Sequence, residues 1–117
     1  MACKVAIAAL EVVKDEKLAE NAQRLGEIFR AELSAFAETN SLVKLVRGKG
    51  LLNAIIVNDS PESKTAWNIC LKLASNGLLA KPTHGNIIRF APPLVMTEEQ
   101  LRDCIRIIKD TLTEFSK

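Results

Sequence analysis

Aromatic side chains are scarce in this sequence, with one Trp, four Phe and no Tyr. So few rings cannot build the stacking platform on which single-stranded nucleic acid binds. Histidine is scarcer still. His84 stands alone, which excludes a His-based metal centre and limits any nucleophile–histidine pair to that one position. The three cysteines, Cys3, Cys70 and Cys104, are far apart and form no CxxC pair, so neither a disulfide framework nor a zinc site is expected. Each falls in an apolar stretch, where a reduced, buried thiol acts as a small hydrophobe. No uncharged run approaches the roughly 20 residues of a membrane-spanning helix. An excess of one charge is missing too. Sixteen basic and fourteen acidic residues leave +2, too balanced to imply a nucleic-acid partner. The opening residues Met1 to Lys4 lead into a helical pattern without the basic, apolar and cleavage segments of a secretory leader, and the chain reads as intracellular.

What is present is the composition of a folded domain. Apolar residues make up 48% and charged residues 26% of 117, which excludes disorder. That length implies one domain, with roughly two thirds of the unfolded surface buried in a single core. It is small for an enzyme that binds a large cofactor. There is no internal repeat, low-complexity tract or linker.

Along the chain, Val5, Ala6, Ala9, Leu10 and Val13 recur at helical steps, on a face unusually apolar for a short helix. Asp15 is placed to cap a second helix whose stripe is Leu18, Ala22, Leu25, Phe29, Leu33 and Phe36. Glu20 and Arg24 lie four apart on its wet side, as Arg106 and Asp110 do later. Two strands follow around Gly48-Lys49-Gly50, the second one, 51–57, apolar enough to be central in its sheet. Ser60-Pro61-Glu62 reads as a helix start, Trp67, Cys70, Leu71 and Ala74 as that helix's apolar face, and Asn76-Gly77 as its stop. Residues 78–81 and 87–90 read as short strands separated by a turn at 82–86, and Ala91-Pro92-Pro93 ends the second. Thr97 to Gln100 form a capping box ahead of Leu101, Ile105, Ile108, Leu112 and Phe115. The order α-α-β-β-α-β-β-α predicts an α+β fold, with a small, mostly antiparallel sheet of about four strands and helices on one face.

No complete catalytic constellation emerges from the residues. The turn Arg47-Gly48-Lys49-Gly50 lacks the full phosphate-loop pattern and reads as structural. The acidic residues decorate helix starts and wet faces. Arg89 is the most interesting cation, at a strand end running into a rigid proline pair, where a guanidinium could grip a carboxylate with two parallel hydrogen bonds. The competing reading is an edge-strand arginine pointing at water.

Four segments carry a family likeness: residues 5–12, Val46 to Ala54, Gly77 to Gly85 and Ile87 to Leu94. On these the chain resembles the class III pyridoxal-phosphate aminotransferases, and Ala80-Lys81-Pro82-Thr83-His84 resembles those that act on ornithine. The resemblance spans essentially the whole chain. It implies a single domain over 1–117, the C-terminal small domain of a much longer enzyme, with residues 1–14 the end of a helix linking to a large domain. The implied reaction moves the δ-amino group of L-ornithine to 2-oxoglutarate, giving glutamate semialdehyde and glutamate, with pyridoxal phosphate as electron sink. It implies a homo-oligomer in the mitochondrial matrix or cytoplasm. The cofactor lysine and the phosphate-binding residues would belong to the large domain, so no residue of this chain is expected to be catalytic, cofactor-binding or metal-binding. Arg89 alone matches a functional residue, the arginine that binds a substrate carboxylate. By itself the chain is expected to fold without transaminating. The alternative is a free-standing ferredoxin-like module that binds a small molecule or mediates oligomerisation. The apolar helix at 2–14 separates the two readings, since a free module would bury it.

Overall fold

Helix α1 (Ala2–Asp15) leads into α2 (Leu18–Ala37), strands β1 (Val43–Lys49) and β2 (Leu52–Val57), helix α3 (Thr65–Ser75), strands β3 (Lys81–Thr83) and β4 (Ile87–Phe90), and helix α4 (Glu98–Phe115). The structure is a computed structural model and describes residues 1–116. All strand pairings are antiparallel, in the order β1-β2-β4-β3. The α+β class and the element order agree with the sequence expectation, and β2 is central.

Alternation along the strands splits the sheet into two faces. Asn53, Ile55 and Val57 of β2 and Ile88 and Phe90 of β4 are buried. The apolar ones pack with Leu25, Phe29 and Leu33 of α2, Ile69 and Leu73 of α3, and Leu101, Ile105, Ile108 and Leu112 of α4. The rings of Phe29 and Phe90 meet at 5.6 Å in a tilted arrangement. Helices α2, α3 and α4 therefore cover one face, and this is where the core sits. The other face is bare.

Local chemistry explains the joints. Thr97 caps α4 through its hydroxyl, which accepts from the Gln100 N–H at 3.3 Å, while Gln100 Oε1 accepts from the Thr97 N–H at 3.0 Å. Helix α3 stops where Gly77 turns left-handed (φ 92°). There the Leu78 N–H reaches Leu73 O (2.9 Å) and the Gly77 N–H reaches Ala74 O (3.1 Å), the paired bonds of a Schellman stop. Gly26 lets α2 touch the β1–β2 turn, because a Cβ there would stand 1.9 Å from Gly50 O. Arg30 Nη1 then donates to Gly50 O (3.0 Å) and Asn53 Oδ1 (2.7 Å), and Asn53 Nδ2 donates to Gly50 O (3.1 Å).

Several expectations are corrected. Asp15 is the last residue of α1 and caps nothing, because Lys17 adopts a left-handed conformation (φ 51°) and takes the N-cap position of α2. Helix α3 starts at Thr65, not at Ser60. Asp59 holds the intervening turn by accepting from the Ser60 N–H (2.7 Å) and the Thr65 hydroxyl, and hydrogen bonds from Thr65 first and Ser60 second keep its carboxyl below the ordinary carboxylate range. The buried stripe of α3 is Ala66, Ile69, Cys70 and Leu73, whereas Trp67 and Leu71 are exposed. Strand β3 covers 81–83 instead of 78–81, with Pro82 tolerated on an edge strand. The β1–β2 turn is Gly50-Leu51, since Lys49 already pairs with Leu52. Arg24 pairs with Glu98 of α4 (2.6 Å) and not with Glu20, and Arg106 pairs with Asp103 (3.5 Å) and not with Asp110. Of the cysteines, Cys70 is buried, Cys104 is half-buried and Cys3 is exposed. Burial pushes the Cys70 thiol up to about 11.

Helix α1 has no buried residue. Val5, Ile7 and Leu10 are each more than half exposed. The radius of gyration is 15.7 Å and the long axis 51 Å, against about 13 Å of radius for a compact domain of this length.

Candidate functional site

The bare face of the sheet is built by register. Arg47 of β1 pairs with Ala54 of β2, Ala54 with Arg89 of β4, and Arg89 with Lys81 of β3. Directly paired residues share a face, so three cations line up across the four strands with one methyl group between the two arginines. The neighbouring row is Leu45, Ile56, Ile87 and Thr83, and Lys49 pairs with Leu52 at the sheet's end. The four strands contain no acidic residue.

Arg89 is exposed, as the sequence reading allowed, but it is not on an edge, because β4 lies between β2 and β3. Ile88 and Phe90, its chain neighbours, are anchored in the core (1% and 6% exposed), which fixes the backbone that carries the guanidinium. Arg47 and Arg89 line one shallow hollow, together with Gly48, Leu52, Asn53 and Ala54. Among the described residues, neither arginine has an ion-pair partner. The opposite layer differs. There Glu98 accepts from Arg24 (2.6 Å) and Arg102 (2.9 Å), and Glu32 accepts from Lys109 (2.7 Å) with Arg102 at 3.7 Å. Those cations hold both carboxyls below their ordinary range.

Two guanidiniums facing a hollow without a counter-charge can bind an anion, and their planar forks suit a carboxylate or a phosphate. The hollow contains neither a lysine nor a carboxylate. It therefore does not fit an aldehyde cofactor that must be held by a lysine imine and faced by an acid at its ring nitrogen. Thr83 pairs with Ile87 at the start of β4, and His84 follows in a left-handed turn conformation (φ 49°), both away from that hollow's lining. The β1–β2 turn serves the contact with α2 through Gly50 O. Sequence reasoning singled out Arg89 and missed Arg47 as its companion. Only the register, with Gly48 opposite Asn53, puts Arg47 on the same row, and the sequence signal was the residue type alone.

The sheet is covered by helices on one side and carries cations without ion-pair partners among the described residues on the other. Comparison with known proteins identifies the family. The aminotransferase class-III family matches residues 1–112. The mitochondrial ornithine aminotransferase of Drosophila ananassae is 59% identical over 112 residues, which are 96% of this chain and 25% of that protein. Among solved structures, acetylornithine aminotransferase from Elizabethkingia anophelis matches with a TM-score of 0.95 and 65% identity, over 97% of this chain and 28% of that chain. Plasmodium falciparum ornithine delta-aminotransferase matches with a TM-score of 0.86 and 41% identity, over 94% of this chain and 28% of that chain. This chain belongs to the class III aminotransferase family, and it spans about a quarter of the length of the curated relatives it matches.

Proposed function

We propose that the chain is the C-terminal small domain of a pyridoxal-phosphate-dependent ornithine δ-aminotransferase, and that Arg89 binds the carboxylate of its substrates there. The whole enzyme transfers the δ-amino group of L-ornithine to 2-oxoglutarate, forming glutamate semialdehyde and glutamate. It works as a homo-oligomer inside the cell, in the mitochondrial matrix or the cytoplasm. The observation that carries this reading is the Arg89 guanidinium, held by two core anchors on a face without acids. The protruding apolar α1 supports the domain reading over a free-standing module, which would bury that helix. Pyridoxal phosphate belongs to the part of the enzyme outside this chain, since the hollow at Arg89 offers no lysine to hold it. Within the reaction this chain's share is to bind and orient a carboxylate by two parallel hydrogen bonds.

A second substrate reading has its own observation, the 65% identity to an acetylornithine aminotransferase. Ornithine and its Nα-acetyl derivative both present a free δ-amine and an α-carboxylate, so Arg89 would serve either. The deciding experiment is transamination by the full-length polypeptide that carries this sequence, loaded with pyridoxal phosphate and 2-oxoglutarate and offered each amine in turn. Glutamate formed from ornithine at the higher kcat/KM supports the proposal. A preference for the acetylated amine replaces ornithine with acetylornithine, and no turnover of either overturns both. The 117-residue chain alone, reduced with borohydride in the presence of the cofactor, is expected to show no specifically labelled lysine. One dominant labelled lysine would contradict the domain reading.

A further inference from the structure

The stop of helix α3 carries a chemistry that transamination does not use. Asn76 is followed by Gly77, and both are exposed. A Cβ built on Gly77 would meet no atom within 4 Å, so the surroundings of this glycine are open. An asparagine ahead of an unhindered glycine can be attacked by the glycine's own backbone nitrogen. A bond forms between Gly77 N and Asn76 Cγ, and the Cγ–Nδ2 bond breaks. The side-chain nitrogen leaves as ammonia and takes the Gly77 amide proton with it. Water then opens the cyclic imide at either carbonyl. The product is an aspartate, or an isoaspartate in which the main chain runs through Cγ. Water is the only co-reactant.

The fold holds this reaction off. Asn76 has φ −90° and ψ 7°, which turns the Gly77 nitrogen away from the Asn76 β-carbon. Ring closure requires rotation about ψ, and that rotation breaks the helix stop. The Gly77 N–H is engaged by Ala74 O (3.1 Å) and the Leu78 N–H by Leu73 O (2.9 Å). The side chain is tied as well. Asn76 Nδ2 donates to Thr111 Oγ1 of α4 at 2.9 Å, and Thr111 is 0% exposed. The leaving group is therefore anchored on the core while the nucleophile is locked in the stop. Helix ends open locally more often than the core does, and one net hydrogen bond changes the opened population about fivefold.

We propose that Asn76 is a deamidation site gated by Thr111, and that its conversion to a carboxylate loosens α3 from α4. The amide donates to Thr111, whereas a carboxylate only accepts, so the Thr111 hydroxyl must reverse its role. The new charge stands at the C-terminal end of α3, where the helix dipole disfavours it. It also lies one turn from Lys72, which ties α3 to Glu114 of α4 (3.0 Å), and competes for that ammonium. The domain thus carries a chemical clock whose rate is set by the opening of its α3–α4 contact. This inference is independent of the Arg89 reading.

The test follows the proteolytic peptide containing Asn76 by mass spectrometry, in the full-length polypeptide that carries this sequence, during incubation at mildly alkaline pH. Conversion is expected in the folded protein at a slow rate, and more than about tenfold faster in urea. Thr111→Val keeps the shape and removes the hydroxyl. It should speed conversion in the folded protein about fivefold and leave the rate in urea unchanged. Thr111→Ser keeps the acceptor and should stay near the parent rate, which separates a lost hydrogen bond from a general loosening of the core. Asn76→Asp should lower the thermal midpoint. If Thr111→Val converts no faster than the parent, or if Thr111→Ser converts as fast as Thr111→Val, Thr111 is not the gate and the proposal fails. The comparison of folded protein with urea needs no variant, and equal rates there, or no conversion in urea, overturn the proposal as well. An unchanged midpoint in Asn76→Asp overturns the loosening of α3.

Discussion

The helix-covered face of the sheet presents Asn53, Ile55, Val57, Ile88 and Phe90, and the bare face presents Leu52, Ala54, Ile56, Ile87, Arg47, Arg89 and Lys81. The same strands carry both sets, one residue out of phase. On the covered face, the buried polar side chain has its partners within the domain, as Asn53 has in Arg30 and Gly50 O. On the bare face, the cations have none among the described residues. The first face is written for stability. The second leaves its cations free to meet a group outside the domain.

Variants can break this contrast. The largest effect is expected from Ile55→Ala, which empties a position only 1% exposed and should cost about 3 kcal/mol in urea unfolding. A loss below about 1 kcal/mol would mean that the covered face is not the core. Gly26→Ala comes next. Its Cβ would meet Gly50 O at 1.9 Å, and forcing α2 off the turn should cost about 2 kcal/mol. Alkaline titration probes the covered layer differently. The Cys70 thiol is raised to about 11 by burial, from 9.0, so an unfolded chain gives up this proton more readily. The stability conferred by the neutral thiol is complete below the unfolded value of 9.0 and declines as pH rises towards about 11. Cys70→Ala should flatten that part of the pH profile, and an unchanged slope would contradict the assignment. The smallest effect belongs to the bare face. Lys81→Gln should leave stability within about 0.5 kcal/mol, with any change favourable at low salt because it removes a charge facing Arg89. A clear loss on denaturant unfolding would show that Lys81 supports the fold.

These two faces also mark what could be read from the sequence. Helices α2 and α4 were legible because their stripes repeat at helical spacing and because Thr97 and Gln100 announce a cap. Arg89 was legible as a cation between two apolar strand residues. The boundaries were harder. Asp59 and Ser60 spend their hydrogen bonds on a turn that delays α3 to Thr65, and Pro82 occupies an edge strand where proline costs little. Trp67 and Leu71 looked like core, but the helix turns Ile69 and Leu73 inward instead. The partnership of Arg47 with Arg89 was invisible, because it depends on the register of the β1–β2 hairpin and on the pairing of β2 with β4, which is distant in sequence. The exposure of α1 also had to be seen in the structure, since an apolar helix fits a core as well as an interface.

The central claim is that Arg89 grips a substrate carboxylate with both arms of its guanidinium. The most direct measurement is kcat/KM for 2-oxoglutarate in the full-length polypeptide that carries this sequence, comparing Arg89 with Arg89→Lys. Lysine keeps the charge and loses the fork, at a cost on the order of 2 kcal/mol. The account predicts a fall of about 30-fold with the unfolding midpoint unchanged. An unaltered kcat/KM for 2-oxoglutarate would contradict it.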